Sequence, residues 1–245
     1  MFKSTIREKS YTIVWLFFIL SVIFSHVTIA QDGGGGSHPW EIKMKELGLV
    51  DVISKDSTIR LEMKYASTDN FVGKNMYGSF NKAFLQEHFA RKVLDANAIL
   101  RKENPKYTLL IYDAARPLSV QWKMYELVKG TPLSVYVAAP HKGGRHNYGV
   151  AVDLTIYDIE AGQPLDMGTE FDHFGPEAHV GNEAILVREG KISQEAEKNR
   201  KLLYRVMKKA GLKPYKREWW HFEENMPISE VRSRFPLLDE KSGFK

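Results

Sequence analysis

Residues 144–155 of the chain are GRHNYGVAVDLT, a stretch that supplies an imidazole and, further along, a carboxylate. Residues 218–221, EWWH, supply a second imidazole. Two histidines and a carboxylate are a ligand set of catalytic zinc sites, which keep one more coordination position open for water. The sequence therefore predicts a metal site formed by His146, Asp153 and His221.

Glu218 lies three residues before His221 and is placed to act on an activated water as a general base. A carboxylate in that role must come within hydrogen-bonding distance of the water. The competing interpretation is a surface carboxylate beside Lys216 and Arg217. Either stretch alone is weak evidence for a site, and the prediction depends on finding both in one chain.

The spacing between the first two ligands requires a turn. A fully extended chain from His146 to Asp153 would span about 23 Å, whereas ligands of one metal ion must converge within a few ångströms. Gly149 is the residue best able to adopt the backbone angles of that turn. Residues 150–156 are rich in β-branched side chains and predict a strand. Asp153 lies inside this apolar run, where a carboxylate is costly unless it is paired or bound to metal.

The remaining chain predicts helices and strands in blocks. Helical spacing of apolar residues predicts helices over 82–102, 118–128 and 193–210, the last ending at Gly211. The pattern of residues 107–112 predicts a buried strand, followed by a turn at 113–117. Blocks without strict alternation favour an α+β fold with a mostly antiparallel sheet.

The pattern His-x-x-Gly-x-Ala-x-Asp, followed about 65 residues later by Glu-x-x-His, resembles the zinc D,D-peptidases, and among them the D-alanyl-D-alanine dipeptidases. Three further segments are similar to motifs of that family: KYASTDNFVGK at 64–74, DAARP at 113–117 and MGTEFD at 167–172. The four motifs occur in the family's order and cover roughly residues 50–225.

The resemblance implies a small central sheet flanked by helices, with one zinc ion per chain in a cleft at the sheet surface. It implies hydrolysis of the dipeptide D-alanyl-D-alanine to two D-alanine molecules. Arg116 would stabilise the oxyanion, Asp172 would pair with the substrate's ammonium group, and Tyr65 would line the pocket. The competing roles are a salt bridge with Asp113 for Arg116, loop capping for Asp172 and simple packing for Tyr65.

One position departs from the family pattern. Two residues before the first histidine, where the family usually has a serine that helps hold the amino end of the substrate, this chain has Gly144, followed by Arg145. Metal binding is unaffected, but strict dipeptide preference is put in doubt. Two other functions stay open: a D,D-carboxypeptidase that trims terminal D-Ala from peptidoglycan stems, and a non-catalytic zinc-bearing binding module. Glu218 and Arg116 argue against the module, which would need neither.

The first thirty residues have a basic start, an apolar run from Tyr11 to Phe24 and a small residue, Ala30, before Gln31. These features predict a secretory signal peptide over 1–30 and export to the periplasm. The alternative is an uncleaved membrane tether, although the apolar run is shorter than the roughly 20 residues of a spanning helix. A Gly-rich linker, native or engineered, is predicted over 31–45.

The remaining segment, 46–245, predicts one catalytic domain, since no internal repeat or second linker is present. Without residues 1–30 the chain carries 32 basic and 29 acidic residues, a balance too even to indicate nucleic-acid binding. The expected partner is a small D-amino-acid dipeptide, with membrane contact only through the signal peptide. Cysteine is absent, so no disulfide supports the fold. The sequence gives no indication of oligomeric state.

Overall fold

The computed structural model describes residues 37–244. The helices within this range are α1 (Pro39–Glu46), α2 (Val52–Lys55), α3 (Glu87–Glu103), α4 (Leu118–Val128), α5 (Glu183–Arg188), α6 (Gln194–Lys209) and α7 (Ile228–Arg234). The strands are β1 (Leu49–Asp51), β2 (Arg60–Leu61), β3 (Phe84–Gln86), β4 (Tyr107–Asp113), β5 (Ala151–Asp158), β6 (Gln163–Pro164), β7 (Leu212–Pro214) and β8 (His221–Glu224).

The main sheet has the strand order β2-β4-β5-β8-β7, with β6 added to the end of β5. Strand β2 pairs with β4 in parallel, and the other pairings of this sheet are antiparallel. A separate small sheet joins β1 to β3. The fold is therefore α+β with a mostly antiparallel sheet, as the sequence predicted.

Strand β5 divides the molecule into a core side and a site side. Alternate residues of a strand point to opposite faces. Val152, Leu154 and Ile156 are fully buried in the main hydrophobic core, where apolar residues of α3 and α6 pack against the sheet. Burying each such side chain contributes about 1.5–3 kcal/mol. Asp153 has the opposite orientation, so the strand that forms the core also presents a carboxylate on its other face.

The predicted helices are present, with one correction. Helix α4 has the predicted bounds, and α6 begins after Ser193, whose hydroxyl caps the helix by accepting from the Ala196 amide at 2.9 Å. The prediction of helix from residue 82 was wrong at its start, since residues 84–86 form β3. This strand pairs with β1, and such a distant partner overrides local helix propensity.

The linker predicted to run to residue 45 ends earlier. Residues 39–46 form α1, with Pro39 in its first turn and Met44 fully buried, and the compact unit starts at Ser37. The domain start predicted at residue 46 is therefore corrected to 37. The predicted signal peptide and the Gly-rich run lie outside the described residues. Within 37–244, no helix combines the length and apolar character that a bilayer crossing requires.

Candidate active site

Strand pairing brings two of the predicted ligands together. Asp153 of β5 is the direct antiparallel partner of His221 at the start of β8. Side chains at such opposed positions have Cβ atoms about 4.5–5.5 Å apart and share one face of the sheet. The register of β5 with β8 therefore places a carboxylate beside an imidazole although 67 residues separate them in sequence.

A glycine turn brings in the third ligand. His146 lies in a 3-10 turn, Arg145–Tyr148, that ends at Gly149 with φ of 68°, in the left-handed region. A Cβ at Gly149 would lie 2.9 Å from the Leu49 side chain, so both the backbone angle and the space require glycine. The turn reverses the chain before β5, as the spacing predicted.

The three ligand atoms form a compact triangle. Nδ1 of His221 lies 2.9 Å from Oδ1 of Asp153 and 3.2 Å from Nε2 of His146. The third side, from Nε2 of His146 to Oδ1 of Asp153, is 3.4 Å. Zinc bonds of about 2.0–2.1 Å in tetrahedral geometry place ligand atoms about 3.3 Å apart. The donor set therefore fits a small tetrahedral metal ion.

The orientation of His146 is fixed by the backbone. Its Nδ1 lies 2.7 Å from the carbonyl oxygen of Ala114, so a neutral ring donates there and keeps its lone pair on Nε2, toward the triangle. The amide of Arg116 donates to the His146 carbonyl at 3.0 Å, and the Asn147 side chain donates to the Arg116 carbonyl at 2.8 Å. These bonds join the end of β4 to the turn that carries the ligand.

The electrostatic field of the triangle favours a cation. Burial works against charge on His221, but the hydrogen bond to Asp153 and the nearby carboxylates of Glu223 and Glu218 raise the pKa of His221 to about 10. Burial also works against ionisation of Asp153, yet His146 and His221 hold the pKa of Asp153 well below its usual range. The same negative surroundings that favour a proton favour a metal ion in its place.

Glu218 lies beside the triangle without belonging to it. Its Oε2 is 3.9 Å from Nδ1 of His221, in the turn before β8. Burial raises the pKa of Glu218 to about 7. The two following residues, Trp219 and Trp220, are buried and fix this turn against the core. A carboxylate held near the ligands, with its pKa close to neutral, has the properties of a general base.

Arg116 forms a salt bridge with Asp113, which the sequence analysis gave as the alternative to its oxyanion role. Its Nε and one terminal nitrogen donate to Oδ2 of Asp113 at 3.0 and 2.5 Å, and the other terminal nitrogen donates to Gln121 at 2.9 Å. Tyr77 donates its hydroxyl to the second Asp113 oxygen at 2.6 Å. Within residues 37–244, three of the five guanidinium N–H groups are thereby used and two have no partner, and Arg116 lines the cavity.

Tyr65 connects Arg116 to Asp172. Its hydroxyl lies 3.1 Å from each carboxylate oxygen of Asp172, and its ring lies 5.0 Å from the Arg116 guanidinium carbon. The amide of Phe71 also donates to Asp172, at 3.2 Å. Burial raises the pKa of the Asp172 carboxyl well above its usual value, and the Phe71 amide bond opposes this only in part. Tyr65 thus packs as a core residue and also orients two polar groups of the site.

All seven predicted site residues line one cavity of about 450 Å³. This volume is within the range of small-molecule sites. The metal triangle, Glu218 and Arg116 share the cavity with Tyr65 and Asp172, and Trp220 and Phe174 form apolar wall. A group of candidate metal ligands, a carboxylate suited to act as a general base and a cation in one cleft are suited to hydrolysis of a carbonyl compound.

Comparison with known proteins agrees with this chemistry. The family model described as D-ala-D-ala dipeptidase matches residues 44–236. The chain belongs to that family. It is therefore a metallopeptidase. A D-alanyl-D-alanine dipeptidase of Escherichia coli is 33% identical over 193 residues, covering 79% of this chain and 90% of the relative. One from Enterococcus faecium is 28% identical over 183 residues, covering 67% of this chain and 85% of the relative.

Some polar residues of this dipeptidase-family site were not predicted. Gln121 accepts a hydrogen bond from Arg116 directly, whereas Tyr77 bonds Asp113, the carboxylate that pairs with Arg116. No sequence signal marks either residue. Glu223 was also missed, although it lies two residues after His221 on β8. Strand alternation puts residues two apart on one face, so this glutamate was accessible to sequence reasoning.

Proposed function

We propose that the protein hydrolyses D-alanyl-D-alanine to two D-alanine molecules with one zinc ion per chain. The observation that carries the proposal is the triangle of His146, Asp153 and His221, whose ligand atoms lie within 4.8 Å of one another in the cavity that also holds Glu218. The relatives named above are D-alanyl-D-alanine dipeptidases, which supports this substrate.

The choice of zinc rests on the donor set. Two neutral imidazoles and one carboxylate in a compact triangle suit zinc better than magnesium or calcium, which prefer oxygen ligands. When bound, zinc would polarise the scissile carbonyl group and lower the pKa of water to about 7. One zinc per chain, measured on the purified protein, is the expected stoichiometry.

Glu218 and Arg116 act on the reacting atoms. Glu218 takes a proton from the attacking water and delivers it to the leaving amine, so the carboxyl returns to its starting state after each turnover. The two free N–H groups of Arg116 donate to the carbonyl oxygen as negative charge develops on it. The Asp113 salt bridge holds the guanidinium in place for this role, so the two interpretations of Arg116 are compatible.

A free dipeptide has an ammonium group at one end and a carboxylate at the other, and the cavity contains a side chain of opposite charge for each. The hydrogen bonds of Asp172 described above come from neutral donors, so its carboxylate is left to pair with the substrate's ammonium group. Arg116 and Arg145 are paired with Asp113 and Glu223. Arg232 lines the same cavity, and within residues 37–244 its side chain donates instead to the backbone oxygen of Gly143, at 3.1 Å. We assign Arg232 to the substrate carboxylate. Arg232→Gln should raise KM for the dipeptide but not for its C-terminal amide.

Steady-state kinetics on two substrates tests the proposal. We expect a higher kcat/KM for D-Ala-D-Ala than for N-acetyl-D-Ala-D-Ala, because the acetylated end would leave Asp172 without a cation. Equal or faster cleavage of the acetylated peptide would make the protein a D,D-carboxypeptidase. Glu218→Gln is the matched control: it should keep zinc and lose at least about 10²-fold in turnover. Zinc binding without cleavage of either peptide would instead favour the non-catalytic module.

We also propose that the protein is exported, on the signal-peptide pattern of residues 1–30. Cell fractionation with amino-terminal sequencing of the mature protein tests this. A mature chain that begins near Gln31 in the periplasm is the expected result, and a membrane-bound chain that begins at Met1 would support the tether.

A further inference from the structure

His221 points its two ring nitrogens at different partners. Nδ1 faces the metal triangle, as the distances to Asp153 and His146 show. Nε2 faces Glu223, whose Oε2 is 3.7 Å away. A neutral ring that gives its Nδ1 lone pair to a metal carries its proton on Nε2, and this proton needs an acceptor. Glu223 is the carboxylate placed on that side.

Glu223 is itself held by Arg145, the residue that the proposed mechanism leaves without a role. Nε of Arg145 lies 2.8 Å from Oε2 of Glu223, the same oxygen that faces His221. The Arg145 terminal nitrogens donate to the backbone oxygens of Glu224, at 3.3 Å, and Met226, at 2.7 Å. These three contacts fix the guanidinium, and the guanidinium fixes the carboxylate next to the ring.

Arg145 also connects the two ligand-bearing segments. It precedes His146 in the 3-10 turn, while its side chain contacts β8, which begins with His221, and the residues just after that strand. The side chains of Arg145 and Glu223 are nearly buried, so water competes little with their ion pair. One ion pair therefore spans the two segments that must approach each other for the metal triangle to form.

We propose that the Arg145–Glu223 pair is a positioning unit that fixes the Nε2-protonated tautomer and the ring orientation of His221, and thereby sets the affinity of the site for its metal ion. Outer carboxylates of this kind orient metal-binding histidines in many metalloproteins, and losing one typically costs 10–100-fold in metal affinity or activity. The inference rests on the proposed metal site but not on the identity of the peptide that is cleaved.

The two histidines of the triangle thus have different supports. His146 donates to the backbone carbonyl of Ala114, which no side-chain substitution removes. His221 depends on a side chain, Glu223, that can be replaced without changing the backbone. Substitution at 223 therefore tests the support of one ligand while leaving the other intact.

The test measures zinc affinity by competition with a chromophoric chelator, in the absence of any peptide. Glu223→Gln should bind zinc about 10–100-fold more weakly than the wild type. Lys213→Met, which removes the exposed partner of the other Glu223 oxygen at 3.7 Å, should change the affinity less than about threefold. The Glu218 carboxylate is also near His221, at 3.9 Å, and Glu218→Gln should keep the wild-type zinc affinity in this assay.

Arg145 provides a second arm of the experiment. Arg145→Gln should weaken zinc binding in the wild-type background but cause no further weakening when Glu223 is already Gln. Losing the bonds from Arg145 to backbone oxygens should lower Tm in both backgrounds. The Tm thus reports the structural role of Arg145, and the zinc affinity reports its positioning role. Unchanged zinc affinity in a folded Glu223→Gln protein would overturn the inference, whereas a wild-type protein that binds no zinc would overturn the proposed function.

Discussion

The metal end of the cleft is built on paired strands, whereas the amino end, defined by Tyr65, Phe71, Asp172 and Phe174, is built on loops. Asp153 and His221 are fixed by the register of β5 with β8. Asp172 instead lies in irregular chain with φ of 62° and is held by hydrogen bonds from Tyr65 and Phe71. Phe174 contacts Phe71 with ring centroids 5.0 Å apart.

This difference indicates a division of labour between the two ends. Sheet register tolerates few alternatives, because a slip of one residue moves a ligand to the opposite face. Loops tolerate substitution and change of length. We therefore expect the metal end to determine whether the enzyme works and the amino end to determine which peptides it accepts.

The largest effect is expected at the metal end. His221→Ala removes one ligand and should lose most of the bound zinc, with kcat/KM falling by at least about 10³-fold, since the metal contributes several kcal/mol to transition-state stabilisation. Metal analysis beside kinetics on D-Ala-D-Ala measures both. Full zinc occupancy in this variant would show that the ligand assignment is wrong.

A smaller and more selective effect is expected at Asp172. Asp172→Asn removes the charge but keeps a residue type that tolerates a positive φ. A hydrogen bond to a charged group is worth about 1.5–3 kcal/mol, so kcat/KM for D-Ala-D-Ala should fall about 10- to 150-fold. Cleavage of the N-acetyl peptide and zinc content should not fall. Loss of zinc in this variant would mean that the two ends are not separable.

The smallest effect is expected at Gly144, where the family's usual serine is missing. Its φ is −94°, and a Cβ there would meet Ala138 at an ordinary 3.5 Å, so a side chain fits. Gly144→Ser should improve the preference for the free dipeptide over its N-acetyl form by about 2- to 13-fold, the value of one neutral hydrogen bond. Gly144→Ala, which adds the carbon without the hydroxyl, is the matched control and should leave the ratio unchanged.

The same comparison explains how much the sequence could predict. The prediction of His146, Asp153 and His221 as metal ligands follows from residue type, a glycine turn and a strand pattern, all of which are local signals, and the structure brings the three side chains together. The sheet order and the pairing of β1 with β3 depend on contacts between distant segments, and so the residues of β3 were predicted as helix. The early end of the linker was missed because α1 is short and polar, with Met44 as its one buried residue.

The amino end was predicted only through resemblance. Neither Asp172 nor Tyr65 has a local pattern that would single it out, and the hydrogen bonds between them join positions 107 residues apart. The hydrogen bond from Tyr77 to Asp113, the partner of Arg116, is likewise a contact between distant segments. For Arg116 the resemblance implied the oxyanion role and the sequence offered the Asp113 salt bridge as its alternative, and the structure shows the salt bridge.

The backbone of Asp172 has a consequence for the stability of the whole protein. A left-handed conformation costs a non-glycine residue roughly 1 kcal/mol, and withdrawing a carboxylate from water adds to that cost. Because burial raises the pKa of Asp172 above the value of about 3.9 in an unfolded chain, the unfolded state ionises first as pH rises, and the folded state loses stability through that range. The Asp172→Asn side chain does not ionise and so avoids the pH-dependent cost. Its Tm should exceed that of the wild type by a margin that widens as pH rises. Selection for activity and selection for stability thus act in opposite directions at this one residue.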